Sequence, residues 1–358
     1  MSLAARIASL TRHFTTTTTT KPSTTSKMTS NIPATMLAIT QPNPKSTSLL
    51  LTTVPTPTPT PNTSEHLIRI HSVSPCSGEL LWPANFPPPG GRPLYIPCPD
   101  MAGTIVTAPE TSPFKPGDEV YARANYLRNG AGSEYTIGVT GEIAKRPANL
   151  SWIETAAIPL SAQTAWQALF VQSGIGALES GAWKGKRVLV TAASGSVGSW
   201  VVQLAKVAGA TVIGTAGTEN VRFVQGLGAD EVVDYKRESL REWVKGSGQV
   251  DVVVDCIGRK SLEDAWWTVK DDGVLLSIFQ PPEQVVPQGY SGNVKGRFFI
   301  MEPVREHLEG ITKLVNEGKV KGTVDSVWPV SQFEEAFKRV ESGKARGKVI
   351  IDFDLNRE

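Results

Sequence analysis

The run Val188-Leu189-Val190-Thr191, continued by Ala192-Ala193-Ser194-Gly195-Ser196-Val197-Gly198, constrains this chain more than any other stretch. β-Formers lead into a turn of small residues. The turn opens a segment in which Val201, Leu204, Ala205 and Ala208 follow helical spacing. Strand, tight turn and helix start are the layout of a dinucleotide-binding βαβ unit. Small side chains let the backbone approach a pyrophosphate, and the unpaired N–H groups of a first helical turn face its charge. Alanine stands at 192 where the G-x-G-x-x-G fingerprint has its first glycine, so the motif draws its weight from context.

That context runs over residues 158–301, where strand and helix patterns alternate as in a doubly wound parallel sheet. Strands are expected at Arg187–Thr191, Thr211–Thr215, Glu231–Asp234, Val250–Asp255, Val274–Ile278 and Arg297–Ile300. Helices are expected from about Val197 to Ala208, Asn220 to Leu227, Arg237 to Lys245 and Leu262 to Val269. An NAD site places a carboxylate about 20 residues beyond the glycine turn, on the ribose 2′-hydroxyl. Ala216 takes that position here, leaving no carboxylate to repel a 2′-phosphate. Thr218, Asn220 and Arg222 supply donors, Tyr235 or Lys236 closes the far side, and Glu219 is expected to face solvent at a helix start. The pattern favours NADP(H).

Before residue 158 the chain reads differently. Residues 1–32 are rich in Ser and Thr, and Leu3, Ile7 and Leu10 share a helical face beside Arg6 and Arg12. This is the composition of a mitochondrial transit peptide, which places the protein in the matrix. A disordered tail, or a cytoplasmic protein started at Met28, fits the same residues. Arg6, Arg12, Lys21, Lys27 and Lys45 are the charged residues of 1–64; without these five, 36 basic residues become 31 against 34 acidic, a net of −3. The body therefore offers no electrostatic case for nucleic acid. No apolar run is long enough for a membrane span, and three scattered cysteines argue against a disulfide framework. Residues 33–157 show short strands punctuated by Pro and Gly and no helical period, which suggests a small barrel or sandwich.

Ile96-Pro97-Cys98-Pro99-Asp100-Met101-Ala102-Gly103, Phe114-Lys115-Pro116-Gly117-Asp118-Glu119-Val120, Gly132-Ser133-Glu134-Tyr135 and Thr164-Ala165-Trp166 resemble medium-chain dehydrogenases/reductases. The resemblance covers nearly all of 34–358. It implies a Rossmann-type doubly wound parallel sheet inserted in a β-rich GroES-like domain, with residues 302–358 returning to that first domain. Zinc-dependent members carry Gly-His-Glu where this chain reads Cys98-Pro99-Asp100, and proline cannot coordinate. Cys76 has no matching His, so Cys76 and Cys98 read as half-buried core thiols and no metal is expected.

The zinc-free branch resembles quinone oxidoreductases and enone reductases, in which hydride goes to a quinone or an α,β-unsaturated carbonyl. Many relatives have Asn-Pro-x-Asp where this chain has Cys76-Ser77-Gly78-Glu79, so the proton donor is open. Ser77, Glu79, Trp82 and Tyr126 are the polar candidates, each with a structural role as the competing reading. By resemblance the cofactor meets Thr164, the turn Ala193, Ser194, Gly195, Ser196, Val197 and Gly198, the strand end Cys256 and Ile257, and Ser277, Phe279 and Phe299 around the nicotinamide. Arg346 and Lys348, in the family's closing motif, either reach towards the cofactor or form a solvated turn. His13, His66, His71 and His307 lack ligand-like spacing. Two rivals stay open: an enoyl-thioester reductase, and a non-catalytic NADPH-binding sensor or scaffold. Zinc-free relatives are often homodimers.

Overall fold

The computed structural model describes residues 32–355, so the leader lies outside the described residues. In the first part of the chain β1 (Thr35–Thr40) and β2 (Leu50–Pro55) form an antiparallel hairpin. β3 (Glu65–Ser74), β4 (Asp100–Thr107), β5 (Glu119–Arg123), β6 (Tyr135–Val139) and β7 (Ile143–Lys145) follow. The sequence shows no helical period here, yet residues 79–85 coil into a 3-10 turn and a short helix, α1 (Trp82–Asn85). Pro83 near its start suits a first helical turn, but one turn is too short to display a period. α2 (Trp152–Ala156) is closed by a capping box between Ser151 and Glu154, and α3 (Pro159–Gln167) carries the chain into the second sheet.

The second sheet alternates strand and helix: β8 (Arg187–Val190), α4 (Ser196–Val207), β9 (Thr211–Ala216), α5 (Val221–Gly226), β10 (Glu231–Asp234), α6 (Leu240–Ser247), β11 (Val250–Asp255), α7 (Arg259–Ala265), β12 (Val269–Ser277) and β13 (Lys295–Phe298). All pairings are parallel, in the order β10-β9-β8-β11-β12-β13. That is the Rossmann order, with a topological switch point between β8 and β11. Strands covered by helices on both faces are apolar throughout, and Val188, Leu189, Val190, Val252, Val253 and Val254 are all fully enclosed.

After α8 (Arg305–Asn316), β14 (Val324–Pro329), α9 (Phe333–Glu341) and β15 (Lys348–Asp352), the chain has rejoined the first sheet, whose order is β14-β15-β3-β4-β5-β7 with β6 on β3. The C-terminal strand thus lies against residues near position 70, Ile351 beside Val73. The fold expected from the sequence, a Rossmann sheet within a GroES-like β-rich part, is the one observed.

Candidate functional site

The phosphate turn is tied down on both sides of the switch point. Thr191 Oγ1 donates to Asp255 Oδ1 at 2.9 Å and accepts from the Cys256 amide at 2.9 Å. The Ala193 amide donates to Thr215 O at 2.9 Å. Ala192 takes φ 50°, a left-handed conformation that a glycine would adopt freely. A Cβ on Gly198 would lie 2.3 Å from Ala192 O and 2.8 Å from Ala193 Cα, so only glycine lets α4 pass this close. Gly195 precedes α4 without a side-chain cap, leaving the first amides of a 12-residue helix directed at an open cradle. The turn of Ala193, Ser194, Gly195, Ser196, Val197 and Gly198 thus offers the close backbone and free amides that a pyrophosphate needs. Gly195 also forms a backbone bridge with Gly347, next to Arg346 in sequence.

The rim at the end of β9 corrects one expectation. Carboxylates are present beside Ala216: parallel pairing sets Asp234 of β10 against it, and Asp234 accepts from Thr218 Oγ1 at 2.6 Å. Glu219 is exposed in the first turn of a 3-10 helix, as expected, and pairs there with the exposed Lys236 at 2.7 Å. A Cβ on Gly217 would meet Glu219 Oε1 at 2.9 Å and Tyr235 Oη at 3.1 Å, so both side chains fold over the turn. Asn220 Oδ1 accepts from Arg346 Nε and Nη2 at 2.9 and 2.6 Å, and Arg346 lies 4.9 Å above the Phe223 ring. Arg346 is thus held at the rim. Arg222 is exposed, with no partner among the described residues.

On the nicotinamide side, several groups singled out in the sequence are already engaged. Ser277 Oγ donates to Asp255 Oδ2 at 3.1 Å, the Phe279 amide donates to Ser277 Oγ at 3.2 Å, and the Phe299 amide donates to Ser277 O at 3.3 Å. The Thr164 hydroxyl donates to Leu160 O inside α3 at 2.7 Å. Burial pushes the Cys256 thiol up, in line with an inert strand-end cysteine. Ile257 and the Phe279 ring remain exposed beside the strand ends, with Arg259 5.4 Å from that ring.

A narrow cleft of about 50 Å³ has a lining that includes Glu79, Trp82, Phe86, Tyr95, Pro99 and Tyr126. Three of the four catalytic candidates meet there. Ser77 does not: it is exposed and outside the lining, because the left-handed Gly78 turns the chain inward only after it. Glu79 accepts from the Cys76 and Cys98 amides, one on each carboxylate oxygen, both at 2.9 Å. Burial pushes its pKa up to about 8, so the carboxyl holds its proton at neutral pH. Cys98 is fully enclosed rather than half-buried, and burial pushes the Cys76 thiol up to about 12.

Lys348 is not part of a solvated turn. It is 4% exposed, its Nζ lies 2.8 Å from Asp100 Oδ2, and it donates to Pro75 O at 3.1 Å. Asp100 Oδ1 accepts from the Leu160 amide at 2.5 Å. No sequence motif marks Arg92, whose guanidinium donates to Arg128 O at 2.7 Å and to Tyr126 O, or Arg123, which is 3% exposed. Among the described residues no three His, Cys, Asp or Glu side chains are grouped to hold a metal, and both Glu79 oxygens are taken by amides. A larger hollow of about 550 Å³ lies at the opposite ends of β8, β11 and β13, around Lys186, Asp251 and Lys295. Ligands of such sheets bind at the carboxyl ends of the strands, so that hollow is not the cofactor site.

The zinc-binding dehydrogenase family matches residues 227–351. The chain is 48% identical over 326 residues, 90% of its length and 98% of the relative's, to the "Probable zinc-binding oxidoreductase, mitochondrial" of Arthroderma benhamiae. It is 31% identical to a mitochondrial NAD(P)H oxidoreductase of Danio rerio, over 75% of each chain. Among solved structures it resembles the quinone oxidoreductase from Coxiella burnetii, with TM-score 0.75, 25% identity, and coverage of 89% of this chain and 99% of that one. The chain belongs to the medium-chain dehydrogenase/reductase family, as an oxidoreductase of its quinone oxidoreductase-like kind.

Proposed function

We propose that the protein is a zinc-independent, NADPH-dependent reductase of quinones or α,β-unsaturated carbonyls. The observation that carries this reading is Glu79, a buried carboxyl lining an aromatic cleft, where no described residues are grouped to hold a metal. When bound, the reduced nicotinamide supplies hydride. The protein's own part is to hold the pyrophosphate on the Ala193–Gly198 turn and to exclude water with Trp82, Phe86 and Tyr95. Glu79 keeps a proton within reach of the acceptor. Zinc does not fit this donor set, and no step is assigned to it.

NADPH is favoured over NADH because Lys236 pairs with Glu219 and Arg237 with Asp234, while Arg222 and Arg346 bring positive charge to the rim. The small volume of the cleft favours a compact acceptor over a thioester on a long arm. We infer two lobes, 158–301 for the cofactor and 33–157 with 302–358 for the acceptor. A mitochondrial location follows the leader's composition and the names of both curated relatives, the matrix follows the leader's composition alone, and a homodimer follows the family. Consumption of NADPH and of NADH should be followed with quinones, enones and enoyl thioesters. Turnover with NADPH and the first two classes is expected. Preference for NADH refutes the cofactor assignment, and tight NADPH binding without any turnover makes the protein a sensor or scaffold.

A further inference from the structure

Arg92 follows a turn in which Gly90 and Gly91 take left-handed φ, 76° and 68°, and the Gly91 amide donates to Pro88 O at 2.9 Å. The turn sends the chain back against the segment 124–130. There Arg92 Nη1 donates to Arg128 O at 2.7 Å and Nη2 donates to Tyr126 O. The guanidinium carbon lies 5.1 Å from the centre of the Tyr95 ring. Arg92, Tyr95, Tyr126 and Arg128 all line the narrow cleft that holds Glu79. Every group that touches the guanidinium therefore belongs to the cleft wall.

The lining carries three charged side chains, Glu79, Arg92 and Arg128. Arg128 is matched by Glu142, and the two Glu79 oxygens accept from the Cys76 and Cys98 amides. Among the described residues no carboxylate is paired with Arg92, whose partners are two carbonyl oxygens and a ring. That holds whether Glu79 is ionised or not. The carbonyls take two of the five guanidinium hydrogens, and Nε is enclosed without an acceptor. Carbonyl dipoles hold a guanidinium in place but do not cancel its charge. Burial, and after it the nearby Arg128, weigh against the cation, so an anion entering the cleft would relieve it.

We propose that the cleft selects acceptors that bear a carboxylate, and that Arg92 is the residue that receives it; this rests on the reductase reading above. A carboxylate supplies the missing charge and planar acceptors for the hydrogens that the two carbonyls leave over. Trp82, Phe86, Tyr95 and Tyr126 offer an unsaturated chain flat apolar walls. A volume of about 50 Å³ keeps that chain short. A small keto-enoate meets these demands. In trans-4-oxopent-2-enoate, hydride from the reduced nicotinamide forms a C–H bond at the alkene carbon next to the carboxylate. The alkene π electrons move towards the ketone oxygen, a proton reaches the other alkene carbon, and 4-oxopentanoate results. Two electrons leave the nicotinamide, and the carboxylate is unchanged.

The full chain with NADPH should be assayed on trans-4-oxopent-2-enoate and on its methyl ester, which keeps the shape and loses the charge. Wild-type protein should give the higher kcat/KM with the acid, although the ester is the better electrophile. Arg92→Met should lower kcat/KM for the acid about 10- to 100-fold, mostly through KM, as expected when a hydrogen bond to a charged group is lost. The ester should lose far less, and Arg92→Lys should restore part of the acid's advantage. Equal losses with acid and ester, or a wild-type preference for the ester, overturn the proposal and leave the reductase reading intact. In wild-type protein labelled with 15N-arginine, 4-oxopentanoate should move the Arg92 Nε resonance, a readout independent of whether the variants fold. A resonance that stays still overturns the proposal. Binding of 4-oxopentanoate at Arg92 without reduction of any acceptor refutes the reductase reading and leaves the anion site standing.

Discussion

Lys348 Nζ lies 2.8 Å from Asp100 Oδ2, with the two side chains 4% and 0% exposed. Burial works against the lysine's charge, but Asp100 and its neighbours outweigh it and hold the pKa above its usual value. Removing one partner leaves the other charged and enclosed. Lys348→Met and Asp100→Asn should each cost about 3–5 kcal/mol in urea unfolding, and the double variant distinctly less than their sum. Additive losses would show that the pair is not coupled.

Gly198→Ala places a Cβ against backbone atoms that cannot swing aside, 2.3 Å from Ala192 O. NADPH affinity, read by tryptophan quenching, should fall at least about tenfold, equivalent to about 1.4 kcal/mol. Gly195→Ala meets only Ala192 O, at 3.1 Å, and should be milder. Equal losses would mean that crowding at the turn is not what selects glycine at 198.

Glu79 gives a pH dependence of defined sign. Its folded pKa of about 8 lies above the unfolded carboxyl's 4.5, so the native state holds a proton that the unfolded chain has released. Stability should therefore be fullest below the unfolded value and fall as pH rises towards 8, by at most about 1.4 kcal/mol per pH unit. Glu79→Gln should flatten this slope. It should also lose some stability at low pH, because an amide offers one oxygen where two amide N–H groups now find acceptors. As proton source, Glu79 should impose a fall in kcat/KM through about pH 8. A wild-type profile without that limb would remove Glu79 from the chemistry.

Lys236→Ala should lower kcat/KM for NADPH by about tenfold while changing NADH by less than about twofold, since a charge-assisted contact to a phosphate is lost and Glu219 is released towards it. A parallel loss with both cofactors would place Lys236 outside the 2′-phosphate site.

The Rossmann half was the most legible part of the sequence. β10 and β11 run over the residues expected, Glu231–Asp234 and Val250–Asp255, because valine-rich buried strands and the Val201–Ala208 spacing are local signals. β12 starts earlier than expected, at Val269, and turns through Asp272 at φ 62°, beside Gly273, where a Cβ would strike the Lys270 carbonyl at 2.8 Å. The acceptor side was harder to read. Lys348 follows Gly343-Lys344-Ala345-Arg346-Gly347, which has the composition of a solvated turn, and nothing local shows that Asp100 will enclose it. Arg123 carried a weak signal, an arginine at the end of a strand otherwise buried from Val120 onward. The rim carboxylate Asp234 came from the neighbouring strand, beyond the reach of a rule that counts along one.

The bridge between Gly195 and Gly347 joins the first turn of the cofactor fold to the last strand of the chain. During synthesis, the Rossmann strands leave the ribosome long before β15 does. A nascent chain can thus build its phosphate cradle while Asp100 still lacks its lysine and the turn lacks its C-terminal brace. The first sheet is completed only when β15 pairs with β14 and β3.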